Sequence, residues 1–214
     1  MTVAVVIPVF NGERYLAKAV ASVRSQSVRP DEIVVVDDGS TDGTAAWLCA
    51  QEDLTIVTQE NRGAGAARNR GVQNVTASIL AFLDADDMWR PDYIEHQRAA
   101  LDADTSVDAV FVLGQNFAED GLRCDQRQGY MLSAMVIRRE AFCRVGWFDE
   151  TPGVPEFAAW FLAARDAGLR YIESPLVLVD RRVHAGNKGR MPGAHSQYLP
   201  VLKQRLDRRR AAAK

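Results

Sequence analysis

Cysteine is scarce and unpatterned. Cys49, Cys124 and Cys143 are odd in number, widely spaced and free of any CxxC pairing, which argues against a disulfide framework or a zinc site. They are expected to be reduced, mostly buried thiols of a cytoplasmic protein. No apolar run approaches the roughly 18–20 residues that would span a bilayer. Neither sign of charge dominates: Lys plus Arg number 26 against 28 Asp plus Glu, so no global charge speaks for a nucleic-acid partner. Repeats and low-complexity linkers are absent too. The start, Met1 to Pro8, lacks the basic flank and length of a signal peptide and reads as a first strand.

What is there suits one domain over 1–214, with 47% hydrophobic residues to build its core. Strand-like and helix-like patterns alternate in the first half. Strands are expected at Val3–Pro8, Ile33–Val36, Leu54–Thr58 and Ile79–Leu83. Helices are expected over Gly12–Gln26, Thr44–Ala50 and Ala64–Asn74. This is an α/β pattern, a three-layer α/β/α sandwich around a mainly parallel sheet. It divides into a ligand-binding half (1–87), a less regular half (88–195) and a C-terminal basic helix or tail (196–214). The irregular half predicts a helix at Asp92–Leu101, strands at Ala109–Leu113 and Met131–Ile137, and a polar loop over Ala118–Gly129. Helices at Arg139–Arg144 and Glu156–Ala167 and strands at Arg170–Ile172 and Leu176–Val183 follow, then a closing helix at Ser196–Arg210.

In such sheets ligands sit beyond the carboxyl ends of the strands, and three of those ends carry chemistry. After the first strand, Pro8-Val9-Phe10-Asn11-Gly12 offers an aromatic ring for a flat base and free N–H groups at a helix start; Phe10 as a core residue is the plain alternative. After the second, a carboxylate of Asp37-Asp38 can accept a hydrogen bond from a base or ribose, or form the turn. After the fourth comes Asp84-Ala85-Asp86-Asp87. If the strand continues, Asp84 and Asp86 point the same way, and two neighbouring carboxylates call for a cation. Their hard oxygens suit Mg²⁺ or Mn²⁺, and Ala85 leaves room for a ligand against the backbone. The alternative is a cap on the helix that Pro91 would open. Gly63-Ala64-Gly65-Ala66-Ala67-Arg68 fails as a dinucleotide loop, since Arg68 stands where the third glycine belongs. Arg68 is instead a fixed cation that can approach a phosphate or pair with the acids.

With these residues laid out, the chain resembles the family 2 glycosyltransferases of the GT-A fold. The matching stretches are VVIPVFNGERYLAKAVASVRSQ, DEIVVVDDGSTDGT, NRGAGAARNRG, ILAFLDADDMWRPDYIE and REAFCRVGWFDE. The resemblance implies a nucleotide-diphosphate-sugar donor, most simply a UDP-sugar, and an unknown acceptor. It implies that Asp38 contacts the base, that Asp84 lies near the ribose and that Asp86 binds Mn²⁺ or Mg²⁺ on the diphosphate. The backbone of Pro8, Val9 and Phe10, together with Arg68, would line the nucleotide.

Many relatives carry Glu-Asp before a Trp-containing helix, and that Asp is the base; here the stretch is Pro155-Glu156-Phe157-Ala158-Ala159-Trp160. Matching Trp160 puts Glu156 at the base position, with Asp149 or Glu150 as substitutes. Glu156 also suits a helix's first turn for its charge alone. The resemblance extends to Arg182-Val183-His184, so His184 is expected in the metal shell or against the diphosphate, with Lys188 and Arg190 adding charge. The expected activity is metal-dependent, inverting sugar transfer. A nucleotide-sugar-binding homologue without turnover is the rival, and a sugar-nucleotide pyrophosphorylase a more distant one. The basic tail Lys203–Arg210 allows at most weak contact with an anionic membrane surface, and so short a chain leaves room for a homodimer mate at the acceptor side.

Overall fold

Strand β1 (Val3–Val9) is buried at every residue, and the pleat sorts its side chains to two faces. Val3, Val5, Ile7 and Val9 enter one apolar cluster, while Ala4 and Val6 enter another. A strand buried on both sides needs helices on both sides, and the chain supplies them. Helices α1 (Leu16–Arg24) and α2 (Thr44–Cys49) and, later, α4 (Tyr93–Ala103) cover the first face. Helices α3 (Ala64–Gln73), α5 (Arg139–Val145) and α6 (Glu156–Asp166) cover the second. The computed structural model describes residues 1–118 and 123–184, with 123–128 described by their backbone alone. The closing helix at Ser196–Arg210, the charges of Lys188 and Arg190, and the side chain of Cys124 lie outside the described residues.

The remaining strands are β2 (Glu32–Asp37), β3 (Thr55–Thr58), β4 (Ile79–Phe82), β5 (Met88–Trp89), β6 (Ala109–Ala118), β7 (Arg123–Gln128), β8 (Met135–Arg138) and β9 (Tyr171–Val183). They form one sheet in the order β3-β2-β1-β4-β8-β6-β9-β5, with β7 paired to β6. β3, β2, β1 and β4 are parallel. β8 runs against both β4 and β6, and β9 is parallel to β6. Six of the nine described strands therefore share one direction, as the mainly parallel expectation requires, and the reversals lie in the half the sequence marked as irregular.

Several local expectations change. The polar stretch before Gly129 is not all loop: Arg123–Gln128 pairs antiparallel with β6, where ladder bonds override a composition poor in strand formers. Met131–Ile137 splits into a 3₁₀ turn at Leu132–Ala134 and a strand from Met135. The two late strands are one, carried across Pro175 by register shifts against β6. Cys49 and Cys143 are exposed rather than buried. Among the described residues, no helix is long and apolar enough to cross a membrane.

Candidate functional site

The register of the sheet sets the site. Val9 pairs with Asp37 and Val6 with Phe82, so Phe10, Asp38 and Asp84 leave the sheet along one edge. Phe10 is half exposed there, which removes the core reading. The free N–H groups expected beside it are taken. Asn11 N–H donates to Ser40 Oγ, Gly12 N–H to Thr44 Oγ1 and Glu13 N–H to Asp42. The helix itself starts later, at Leu16, so this segment pins two loops together and offers no phosphate nest. Asp38 is 3% exposed and receives Gln59 Nε2 at 2.7 Å, the Arg62 N–H at 2.9 Å and the Gly63 N–H at 2.8 Å. Two of those donors fall on Oδ1, so Oδ2 keeps room for another. Asp37 accepts the Ser40 N–H and closes the turn.

The acids beyond β4 do not converge by strand alternation. The strand stops at Phe82, and a turn closed by Asp87 N–H on Asp84 C=O at 3.0 Å folds them back. It gathers three carboxylates: oxygens of Asp84, Asp86 and Asp87 lie within 4.8 Å of one another. Asp87 is the member that the sequence reading offers only as a helix cap, and not as part of the acid cluster. It is 3% exposed and receives Ser133 Oγ at 3.1 Å and the Arg182 N–H at 3.0 Å. Burial, then the charges of Asp84 and Asp86, push its carboxyl well above the ordinary carboxylate range. The cap reading fails, because the following helix begins at Tyr93 behind Asp92, which makes no side-chain cap.

Asp86 hydrogen-bonds His184 Nε2 at 2.9 Å, so two residues 98 positions apart, both expected at a metal, do meet. Arg182 fixes this corner. Its Nε donates to the Asp86 carbonyl at 3.1 Å, and its guanidinium lies 4.9 Å from the Tyr15 ring centre and 4.6 Å from that of Phe117. Tyr15 in turn packs on His184 at 4.8 Å. Sequence reasoning missed this role of Tyr15 and Arg182, although the Arg-Arg-Val-His run stood in view.

Arg68 is the centre of charge. It is 5% exposed, donates through Nη2 to Asp84 Oδ1 at 2.6 Å and through Nη1 to Glu156 Oε1. Its Nε is buried without a partner among the described residues. Burial disfavours the cation, yet the two carboxylates outweigh that and hold its pKa above the ordinary value. A plain surface salt bridge is thus excluded. Of the substitute bases, Glu150 is engaged at both oxygens, by Asn69 Nδ2 and Arg62 Nη2. Asp149 accepts the Thr151 N–H, and its bonds to Thr151 hold its carboxyl below the ordinary range. Glu156 stands alone of the three beside Asp84.

The donor set fits a hard dication: carboxylate oxygens of three acids gathered within 4.8 Å, one of the acids buried, with an imidazole alongside. Arg68 satisfies part of Asp84, His184 bonds Asp86, and Ser133 Oγ with the Arg182 N–H serves Asp87.

Comparisons with known proteins follow the same lines. An uncharacterized glycosyltransferase of Rickettsia bellii is 26% identical over 225 residues, covering 94% of this chain and 32% of the relative. Another, from Rickettsia prowazekii, is 29% identical over 206 residues, covering 86% and 64%. The chain therefore spans from about a third to just under two thirds of these relatives. Among solved structures, S. aureus TarS 1-349 in complex with UDP-GlcNAc superposes with a TM-score of 0.72 at 19% identity, over 87% of this chain and 60% of that one; the same protein is also solved with UDP. At that identity the likeness establishes the GT-A-like fold. Residues 4–162 match the family described as Glycosyl transferase family 2. With three acids on the carboxyl edge of β4 and the matched stretches in one fold, the chain belongs to glycosyl transferase family 2.

Proposed function

We propose that the chain transfers a sugar from a nucleotide-diphosphate donor, a UDP-sugar, to an acceptor hydroxyl with inversion, assisted by Mn²⁺ or Mg²⁺. The observation that carries this is the acid triplet beside Arg68 and Glu156, on the strand edge where α/β sheets bind nucleotides. Asp38 offers Oδ2 to an N–H of the base, with Phe10 exposed nearby as a flat surface. Asp84 and the small Ala85 leave the ribose close to the backbone. Asp86 and His184 would hold the cation, which when bound neutralises charge on the diphosphate. Charge grows on that leaving group as the anomeric bond breaks, and Arg68, poised between Asp84 and Glu156, stabilises it from a buried position.

Glu156 is the base. Arg68 occupies Oε1, and Oε2 is the oxygen offered to the acceptor proton. Attack opposite the diphosphate inverts the anomeric centre. The same ion pair favours a second reading, a nucleotide-sugar binder without turnover, because pairing with the buried Arg68 accounts for Glu156 without any chemistry.

Hydrolysis of a UDP-sugar panel with Mn²⁺ separates the two. Turnover that falls about 10²–10⁴-fold in Glu156→Gln supports the base. Turnover indifferent to that change removes Glu156 from the chemistry, and affinity for UDP indifferent to chelator and to Asp86→Ala overturns the metal assignment.

A further inference from the structure

Tyr130 is the one bulky residue among those described whose backbone is left-handed, at φ 49°, a conformation that favours glycine and asparagine. Such outliers persist where the surroundings over-determine them, and they gather at binding sites. Glycine stands one position earlier, at Gly129, so the aromatic is not there for the turn. The ring is 44% exposed, yet it is held firmly. Phe161 lies 5.1 Å away and Phe111 5.5 Å away between ring centres, Tyr171 lies 6.1 Å away edge-on, and the hydroxyl donates to Glu173. The result is a fixed aromatic surface with a carboxylate at its rim.

Two chain connections put this surface beside the acids. Tyr130 precedes by three residues Ser133, whose hydroxyl bonds Asp87. Phe161 stacks on Phe157, which directly follows Glu156 on α6. The surface is therefore joined to Glu156 through Phe161 and Phe157, and to the Asp87 corner through the turn that carries Ser133.

We propose that the Tyr130 ring is a stacking platform for a hexopyranose acceptor, with Glu173 receiving one of its hydroxyls. This rests on the sugar-transfer reading above and names the acceptor class for it. A pyranose presents an apolar C–H face and a hydroxyl edge, and an aromatic ring rimmed by a carboxylate matches both. An acyl chain matches the ring alone and leaves the carboxylate at its rim unused. The apolar residues that would suit a lipid, Ile172 and Leu176, are exposed, but they alternate with Tyr171 and Glu173 on β9. They therefore face the α4 side of the sheet, where Ser174 meets His96.

The test is saturation-transfer NMR of the full chain with UDP and Mg²⁺, using methyl glycosides of glucose, galactose, mannose and N-acetylglucosamine as probes and octyl phosphate as the lipid-like one. UDP affinity is measured by calorimetry on the same samples. At least one methyl glycoside is expected to receive saturation at its ring C–H groups. Its affinity falls about ten-fold in Tyr130→Ala, the loss of one ring face of apolar contact, and survives in Tyr130→Phe. UDP affinity stays unchanged in both variants, which also reports that they fold. The proposal is overturned if no glycoside binds, if binding is undiminished in Tyr130→Ala, or if octyl phosphate alone binds through Tyr130. Glycoside binding without any affinity for UDP would sink the sugar-transfer reading instead.

Discussion

Removing the charge of Arg68 tests the electrostatic core of the site. Its side chain is 6% exposed, against 40% for Asp84 and 24% for Glu156. Two unit charges at contact distance attract by about 4 kcal/mol at the effective dielectric of such a site, but burying the guanidinium takes back most of that gain. The better-buried Glu156 pair should keep a coupling of about 2 kcal/mol, and the more solvated Asp84 pair about 1 kcal/mol. Asp84→Asn taken alone should cost less than its coupling, because it also relieves repulsion with Asp86 and Asp87. Urea denaturation of Arg68→Met, Glu156→Gln, Asp84→Asn and the two double variants closes both cycles. Additivity within about 0.5 kcal/mol for both pairs would refute the buried triad, and a larger coupling to Asp84 would refute the burial argument.

Three further outcomes follow from other contacts. Asp108 is buried, which raises its carboxyl, but the Arg170 N–H at 2.9 Å and the Arg144 guanidinium at 2.8 Å outweigh this and hold it below the ordinary value. A depressed carboxyl adds stability that is present above the unfolded value of about 3.9 and lost as pH falls through the folded one. Asp108→Asn should therefore lower neutral-pH stability by about 1–2 kcal/mol and flatten the acid limb in thermal melts from pH 7 to 2; an unchanged limb refutes it. A Cβ on Gly71 would meet Val6 Cγ1 at 2.3 Å and Val36 Cγ2 at 3.3 Å. Gly71→Ala should thus destabilise by about 1–2 kcal/mol despite its helix propensity, with less-than-additive cost in the Val6→Ala background. Asp86→Ala relieves repulsion with Asp84 and Asp87 but loses the bond to His184, so it should shift the stability of the metal-free protein by less than about 1 kcal/mol while abolishing the thermal shift produced by Mn²⁺ with UDP; a persisting shift refutes the assignment of Asp86.

The regular half of the fold was legible because its signals are local. Runs such as Ile33–Val36 can bury both faces only between two helical layers, and α3 advertises its close approach to β1 through Gly71 and Ala67. The second half hides its pairing because long-range ladders, not residue preference, decide it. Arg123–Gln128 reads as loop until β6 supplies its hydrogen bonds, and Pro175 reads as a break until register shifts carry β9 past it.

The site divides along the same line. Residue type and position along the elements pointed to Phe10, to one of Asp37 and Asp38, to Arg68 and to Asp84 and Asp86, while the family pattern singled out Asp38 and pointed to Glu156 and His184. Neither could reveal that Arg68 spends its charge on Asp84 and Glu156 together, since 88 residues separate Arg68 from Glu156. Asp87 was visible as the third acid of its run but read only as a candidate helix cap. Its burial, and its bonds to Ser133 and the Arg182 amide, exist only once the 3₁₀ turn at Leu132–Ala134 and the end of β9 meet the turn that follows β4. A buried carboxyl is costly to keep charged, and this one lies within 4.8 Å of the oxygens of Asp84 and Asp86, whose charges push it up further. On the proposed sugar-transfer reading, the cation that accompanies the donor's diphosphate completes the cluster from outside.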